Sequence, residues 1–276
     1  MGFRIAGEAA YIGRMTSGAR AAAIAAEKTE SFEIIAGSPR RGLVILCDHA
    51  SNTLPAGYGT LGLATAELER HIAWDIGAAA VTRYLSTALD APAVMTRVSR
   101  LLIDVNRGED DPTLIMRLSD GAIIPGNRHL DDTERSARIA RWYRPYDEAI
   151  KRTVAKVAAA GRPPILLGMH SFTETWKGAP RPWHVGVLWE RDRRIAMPLL
   201  EALRQEGDLV VGDNEPYPGQ YEGDTLWRHA TQAGLPFCSL EIRQDLIADE
   251  AGQTDWGGRL ARILTAVLDA QMTTAT

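Results

Sequence analysis

Short apolar runs alternate along this chain with longer amphipathic stretches, and this alternation is what most restricts its fold. Apolar runs bounded by polar or turn-forming residues predict buried strands at 43–47, 93–96, 165–168, 185–189, 209–211 and 237–242. Apolar residues at helical spacing predict helices over 66–89, 133–160, 195–206 and 257–272, the second with a bend near Pro145. This order predicts an α/β fold, a three-layer sandwich with a central mixed, mostly parallel sheet.

The size and charge of the chain bound its domain organisation and its partners. With 276 residues, of which 45% are hydrophobic, the chain can bury one sizeable core. We predict an N-terminal extension over residues 1–35 and a single domain over 36–276. The net charge of -4 argues against a nucleic-acid partner, and no apolar stretch approaches the roughly 20 residues of a membrane helix. A small-molecule substrate is the expected partner, and assembly into a homo-oligomer stays open.

The two cysteines of the chain indicate its compartment. Cys47 and Cys238 both lie in apolar runs, and two cysteines are too few for a disulfide framework. The sequence therefore predicts buried free thiols in a reducing cytoplasm.

Two histidines follow predicted strands, at the end of the sheet where ligands bind in folds of this class. His49 lies in the segment DHASN after the run 43–47, and His170 lies in GMHSF after the run 165–168. Two imidazoles at the ends of two strands can converge on one metal ion, and zinc favours such ligands. A serine hydrolase is the rival interpretation, but Ser51 and Ser171 lack the G-x-S-x-G turn that exposes a nucleophilic serine.

Charged residues near two other predicted strands are candidates for catalysis and substrate binding. Glu241 lies inside the apolar run 237–242, where a carboxylate is a general base and acid or else forms a structural ion pair with an arginine. Arg100, Asn106 and Arg107 flank a short apolar segment and suit the recognition of a carboxylate. Asp104 between them can fix an arginine, and the alternative is a solvated charged loop.

A further carboxylate can complete the metal site. Asp75 and His71 are four residues apart on the predicted helix 66–89, so they are expected to share a face of it. Asp75 would then supply the carboxylate of a site with two histidines. An ordinary polar role on the helix surface is the competing interpretation.

Five motifs occur in an order that resembles the N-formylglutamate amidohydrolase family. They are DHASN at 48–52, WDIG at 74–77, SRLLIDVNR at 99–107, GMHSF at 168–172 and EIRQD at 241–245. The resemblance covers about residues 40–268 and implies the phosphorylase/hydrolase-like fold of zinc carboxypeptidases and aspartoacylase-like deacylases. It implies that His49 and His170 are the first and last zinc ligands and that Glu241 is the catalytic carboxylate. It also implies that Asn106 and Arg107 hold the carboxylate of the substrate.

One departure from the wider zinc group concerns the middle metal ligand. That group has a His-x-x-Glu pair, whereas Asn52 stands at the fourth position here. Asp75 is the preferred substitute, and Asn52 and Asp48 remain alternatives.

The expected reaction is metal-dependent hydrolysis of the amide of N-formyl-L-glutamate or a related N-acyl amino acid, as a step in amino-acid degradation. Zinc is the expected metal, and another divalent metal is the alternative. In this scheme Arg100 stabilises the oxyanion and Arg243 holds a side-chain carboxylate of the substrate. The alternatives are a zinc peptidase of related fold and a non-catalytic binder of a small carboxylate ligand.

Overall fold

A seven-stranded mixed sheet forms the centre of the protein. The computed structural model describes residues 30–219 and 221–274. The strands of the central sheet are β1 Phe32–Ile35, β2 Leu43–Cys47, β3 Ala93–Thr96, β6 Ile165–Phe172, β9 Val185–Leu188, β10 Val211–Asp213 and β11 Phe237–Arg243. Two small hairpins lie outside it, β4 Leu118–Ser119 with β5 Ala122–Ile123, and β7 Thr175–Trp176 with β8 Ala179–Pro180.

The strand order is β1-β3-β2-β6-β11-β9-β10. The central strands β3, β2, β6 and β11 run parallel to one another. Strand β1 is antiparallel to β3 at one edge, and β9 is antiparallel to β11 but parallel to β10. The sheet is therefore mixed and mostly parallel, as predicted.

Helices and loops cover both faces of the sheet. The helices are α1 Thr65–Leu68, α2 Ala78–Leu89, α3 Asp132–Arg138, α4 Arg144–Ala158, α5 Ala196–Arg204, α6 Thr225–His229 and α7 Glu250–Thr274. Alternate residues of a strand enter different cores: Ile45 packs with α2, α5 and α7, whereas Val44 and Leu46 pack with α4. The predicted three-layer sandwich is thus confirmed.

The predicted helix 66–89 is wrong, because the structure divides it into α1 and α2 with turns between them. Gly77 precedes α2 with a φ of 79°, and a Cβ there would lie 2.2 Å from the carbonyl oxygen of Ile247. Only glycine adopts this backbone easily and fits this contact. His71 and Asp75 therefore lie in the turns, and the prediction that they share a helical face is also wrong.

The long helix predicted over 133–160 is present but irregular. A π-helical segment, Ile139–Tyr143, joins α3 to α4 directly before Pro145. Proline has no N–H to donate to the carbonyl four residues earlier, which accounts for the irregularity at the predicted bend.

Other boundaries shift by a few residues. The strand predicted at 165–168 continues to Phe172, and β10 begins at Val211 rather than at 209. Strand β1 lies within the range 1–35 that was predicted as an extension, so the sheet begins earlier than expected. The remainder of that prediction, residues 1–29, lies outside the described residues.

Two sequence features bear on the environment of the chain. Cys47 and Cys238 are buried free thiols, as predicted. Within 30–219 and 221–274, no helix combines the length and the apolar character needed to cross a membrane.

Candidate functional site

The carboxyl ends of β2, β6 and β11 bring the predicted site residues together. His49 follows β2 by two residues, and His170 and Glu241 are paired positions on the parallel neighbours β6 and β11. Paired residues on parallel strands present their side chains on the same face of the sheet. His170 therefore lies inside β6 rather than after it, and it stands beside Glu241.

His49, Asp75 and His170 form a buried cluster that can hold a metal ion. One ligand atom from each lies within 4.8 Å of the others. The Oδ2 atom of Asp75 is 2.8 Å from Nδ1 of His170 and 3.3 Å from Nδ1 of His49. The two imidazole rings meet edge to face, with 5.3 Å between their centroids.

Asp75, rather than Asn52 or Asp48, lies between the two histidines. Its backbone N–H donates to the carbonyl oxygen of His49 at 2.9 Å, which ties the turn before α2 to the end of β2. Asn52 donates instead to the carbonyl oxygen of Leu68. Asp48 approaches the far side of His170, with 3.7 Å between its Oδ2 and Nε2, and accepts a hydrogen bond from Tyr146.

A second carboxylate orients His49. Oδ1 of Asp104 lies 2.7 Å from Nε2 of His49, so the Nδ1 atom faces Asp75. Arg100 donates to Oδ2 of Asp104 at 2.8 Å, and the backbone N–H of Asn106 donates to Oδ1. The expectation that Asp104 fixes an arginine agrees with this geometry. Carboxylates behind ligating imidazoles set the tautomer and the direction of the ligand atom.

Asp104→Asn is expected to weaken metal binding about 10- to 100-fold without unfolding the protein. The amide of asparagine keeps the shape of the carboxylate but lacks its negative charge. The electrostatic stabilisation that Asp104 gives the imidazole of His49 is therefore lost. The measurement is the metal dissociation constant by competition with a chelator. A variant that holds the metal as tightly as the unaltered protein would contradict the orienting role.

The electrostatics of the cluster favour a bound cation. Burial by itself would raise the pKa of Asp75, but the charges and hydrogen bonds of His49 and His170 outweigh it and hold that pKa far below its ordinary value. Burial likewise opposes protonation of His170, yet the hydrogen bond and charge of Asp75 raise its pKa to about 9. The negative charge of the carboxylates therefore stabilises positive charge within the cluster of His49, Asp75 and His170.

Glu241 is buried, but among the described residues it forms no ion pair with an arginine, which was the alternative interpretation of this residue. The residue is 7% exposed, and its Oε2 atom has no hydrogen-bond partner among the described residues. Burial, reinforced by the charge of Asp75, raises its pKa to about 7 against the opposing effect of the histidines and Arg100. A carboxyl group with a pKa near neutrality can both take and return a proton.

The predicted substrate-binding residues differ in how far their side chains are already engaged. Asn106 accepts a hydrogen bond from the backbone N–H of Thr225 at 2.9 Å, which connects it to the start of α6. The half-buried Arg107 donates to the carbonyl oxygen of Asn106 and lies over the ring of Tyr221. Arg243 donates twice to Asp245, at 2.7 and 3.0 Å, so its guanidinium is held in an ion pair.

An arginine that was not predicted from the sequence lies beside the site, enclosed by aromatic rings. The guanidinium of Arg181 lies 5.0 to 5.7 Å from the ring centroids of Tyr217, Trp176 and Phe172 and donates to the hydroxyl of Tyr217. The pKa of Tyr217 is raised to about 12 by burial and by the charge of Glu241. No local motif marks these residues, since they lie on separate segments that only the fold brings together.

Asp224, also missed, carries a testable pH dependence. Burial raises its pKa to about 6, although the backbone N–H of Trp227 stabilises the charged form. As pH rises from about 4 to about 6, Asp224 ionises in the unfolded chain before it ionises in the folded protein, so the free energy of unfolding falls. Above about pH 6 the full loss of stability remains. Asp224→Asn keeps the helix cap and is expected to be about 2–3 kcal/mol more stable at pH 7.5.

The measurement for Asp224 is denaturant unfolding of both proteins at pH 4 and pH 7.5. The advantage of the variant should become small at pH 4, where the Asp224 carboxyl group is protonated in the folded protein and about half protonated in the unfolded chain. An equal difference at the two pH values would contradict the raised pKa.

Comparisons with known proteins identify the family and agree with the fold. Residues 41–248 match the family model of N-formylglutamate amidohydrolase. The structure is similar to that of the gene product Atu2144 of Agrobacterium tumefaciens, with 35% identity, 88% of this chain and 96% of that chain covered, and a TM-score of 0.81. No curated protein matches the sequence.

A second solved structure supports the fold alone. The N-formylglutamate amidohydrolase of Ralstonia eutropha JMP134 is 20% identical, with 89% of this chain and 100% of that chain covered and a TM-score of 0.65. The family match spans most of the chain and includes the segments that carry His49, Asp75, His170 and Glu241. The chain is therefore an amidohydrolase and belongs to the N-formylglutamate amidohydrolase family.

Proposed function

We propose that this protein uses a zinc ion to hydrolyse the amide bond of an N-formyl amino acid or a related short N-acyl amino acid. The observation that carries the proposal is the buried cluster of His49, Asp75 and His170 beside Glu241, whose Oε2 atom has no partner in the described chain. A cluster of metal ligands next to a carboxyl group that can move a proton is suited to hydrolysis.

The three residues fit zinc by donor type and by spacing. Two imidazole nitrogens and one carboxylate oxygen are a usual ligand set for catalytic zinc, which keeps a further position open. Ligand atoms about 2.0–2.1 Å from a tetrahedral ion lie roughly 3.3 Å apart. The distances from Oδ2 of Asp75 to the two Nδ1 atoms, 2.8 and 3.3 Å, are close to that value. When bound, zinc would supply a Lewis acid that makes water acidic and polarises the amide carbonyl.

Glu241 is proposed as the group that moves the proton. Its carboxylate would take a proton from the attacking water as the new C–O bond forms at the carbonyl carbon. It would return that proton to the amide nitrogen as the C–N bond breaks, so that a carboxylic acid and a free amine leave. A pKa of about 7 is suited to both transfers near neutral pH.

Arg100 is proposed to stabilise the negative charge that develops on the carbonyl oxygen. Its NH1 atom is 3.5 Å from Oδ1 of Asp75, and its side chain is 20% exposed, so it borders the cluster. Asp104 holds the other end of the guanidinium in place. A fixed cation that faces the developing charge needs no rearrangement during the reaction.

Arg107 is proposed to bind the α-carboxylate of the substrate, with Asn106 beside it. Arginine binds carboxylates through two parallel hydrogen bonds. Asn106 already anchors the start of α6, so its contribution includes positioning the loop. A similar role for Arg243 on a second carboxylate would require that it release Asp245.

Arg107→Ala is expected to raise KM at least about tenfold, with a smaller effect on kcat, because a charge-assisted hydrogen bond to the substrate is lost. Arg107→Lys keeps the positive charge but cannot form two parallel hydrogen bonds to a carboxylate. Its KM should fall between those of the unaltered protein and Arg107→Ala. The measurement is steady-state hydrolysis over a range of substrate concentration. An unchanged KM would remove Arg107 from the carboxylate role.

The function is tested by metal analysis of the purified protein together with an assay for amino acids released from N-formyl substrates. Metal binding with turnover supports the proposal. Cleavage of peptides in preference to N-formyl amino acids would favour the zinc peptidase. Metal-reconstituted protein that binds small carboxylates without turnover would favour the non-catalytic binder. A cytoplasmic location and a role in amino-acid degradation remain predictions.

A further inference from the structure

Arg181 is a buried cation without an acidic partner. It is 9% exposed, and it forms no ion pair with an aspartate or glutamate of the described chain. Arg138, which is buried more deeply, pairs with Glu134 at 2.9 Å. A guanidinium keeps its charge when it is buried, and this is costly unless an anion compensates the charge. Arg181 therefore lacks an anion that the described residues do not supply.

The contacts of Arg181 fix its orientation and leave one edge of the guanidinium free. The rings of Phe172, Trp176 and Tyr217 surround it, and its Nη1 atom donates to the hydroxyl groups of Thr173 and Tyr217 at 3.0 and 3.2 Å. The Nε and Nη2 atoms have no partner among the described residues, and neither is fully buried. These two atoms form the edge with which arginine binds a carboxylate through two parallel hydrogen bonds.

The free edge belongs to a side chain that lies beside the catalytic centre. Phe172 follows His170 by two residues on β6, so the ring in contact with Arg181 projects from the same face of the sheet as His170. Tyr217 accepts a hydrogen bond from Arg181, and burial together with the charge of Glu241 raises the pKa of its hydroxyl group. Arg181 thus borders the region of His170 and Glu241, where the amide is proposed to be cut.

A second arginine near this centre also lacks an acidic partner. Arg107, the proposed ligand of the α-carboxylate, donates to a backbone carbonyl group and forms no ion pair within the described residues. Tyr221 lies against Arg107, and Tyr217 lies against Arg181. These tyrosines are four residues apart, so their Cα atoms are separated by at most about 14 Å. Two uncompensated guanidinium groups near one centre suit a substrate with two carboxylates.

We propose that Arg181 is the residue that distinguishes acidic from neutral side chains of the released amino acid, by binding a side-chain carboxylate with its Nε and Nη2 atoms. The inference rests on the proposed amidohydrolase function and assigns a specificity-determining residue to the same site. A carboxylate at this edge compensates the buried charge, whereas a carboxamide of the same shape offers one acceptor oxygen and no charge. Arg243 is a poorer candidate because Asp245 already occupies the same edge of its guanidinium.

The test compares kcat/KM for N-formyl-L-glutamate and N-formyl-L-glutamine, which have nearly the same shape and differ in the charge of the side chain. We expect the zinc-loaded protein to favour the glutamate derivative at least about tenfold. Arg181→Gln should lower kcat/KM at least about tenfold for the glutamate derivative and less than about threefold for the glutamine derivative. Arg181→Lys keeps the charge but not the paired hydrogen bonds and should give an intermediate preference.

Arg193→Gln is the matched control for these variants. Arg193 is an exposed arginine that also lies over an aromatic ring, that of Trp189. It follows the end of β9, and because β9 is antiparallel to β11 this end lies away from Glu241. The control should leave kcat/KM for both substrates unchanged.

The outcomes separate a specificity role for Arg181 from a structural one and from the proposed function. Equal kcat/KM of the unaltered protein for the two substrates would overturn the inference and leave the amidohydrolase function in place. An equal loss on both substrates in folded Arg181→Gln would also overturn it, since that is the result of a purely structural contact. Loss of the preference in Arg243→Gln, with retention in Arg181→Gln, would transfer the role to Arg243. If circular dichroism shows that Arg181→Gln is unfolded, Arg181→Lys decides the inference, and an undiminished preference would overturn it.

Binding measurements decide the inference even if the proposed function fails. Failure to hydrolyse any N-formyl amino acid would overturn the proposed function. Calorimetric titration of the zinc-loaded protein with free L-glutamate and free L-glutamine then compares the two side chains without turnover. Tighter binding of glutamate that is lost in Arg181→Gln would support the inference, and equal affinities in the unaltered protein would overturn it.

Discussion

His170→Ala is expected to reduce the bound metal from about one ion per chain to nearly none and to lower kcat/KM at least about a thousandfold. The variant removes one of the three groups around the metal position, and the remaining pair, His49 and Asp75, would hold an ion far less tightly. His170 is also bonded to Asp75, so its loss leaves that buried carboxylate with a weaker set of partners. The measurements are metal content by mass spectrometry and hydrolysis of an N-formyl substrate.

His129→Ala is the matched control for this experiment, because His129 is exposed and takes no part in the cluster. It should retain both metal and activity. Circular dichroism of both variants would show whether the fold is preserved. Full metal content in folded His170→Ala would exclude His170 as a ligand and would require another residue, with Asp48 the nearest carboxylate alternative.

Glu241→Gln is expected to keep the metal and the fold while lowering kcat at least about a thousandfold. Glutamine has nearly the shape of glutamate but cannot accept and return a proton in the required range of pH. The variant also removes a buried carboxylate whose Oε2 atom has no partner among the described residues, so no loss of stability is expected. The measurements are kcat, metal content and the midpoint of denaturant unfolding.

The two variants together separate catalysis from binding. Loss of metal and activity in His170→Ala, with loss of activity alone in Glu241→Gln, is the pattern of a metal-dependent hydrolase. If Glu241→Gln retained activity within tenfold of the unaltered protein, the proton would have to move through another group. Tyr217 would then be the next residue to substitute, since it lies close enough for the charge of Glu241 to raise its pKa.

The strands β2, β3, β6, β9 and β11 were predictable because each is a short apolar run that is buried almost completely. Strand β1 is only partly buried and was not predicted. Strand β2 was predicted with its observed bounds, and β3 likewise. The break in the predicted helix 66–89 was not predictable, because the helical spacing of apolar residues continues through residues that form turns. What interrupts it is Gly77, which is packed against Ile247, and that contact involves a segment about 170 residues away.

The candidate site was predictable in part for the same reason. His49, His170 and Glu241 each belong to a strand or follow one directly, so their convergence at one end of the sheet depends on strand order rather than on detail. Asp75 was preferred because a carboxylate restores the usual ligand count, but its expected position on a helical face shared with His71 was wrong. A turn held by the backbone of His49 brings it into the cluster.

The amino-acid sequence by itself determined the α/β layering, the strand-end histidines and the family, because these follow from local hydrophobic patterns and from motifs of a few residues. Only the tertiary structure decided which carboxylate lies between the histidines, that Arg243 is engaged by Asp245, and that three aromatic rings enclose Arg181. These features join residues that are distant along the chain or depend on side-chain direction. Such contacts form because burial and backbone hydrogen bonds of the whole sheet compensate for ordering the loops that carry them.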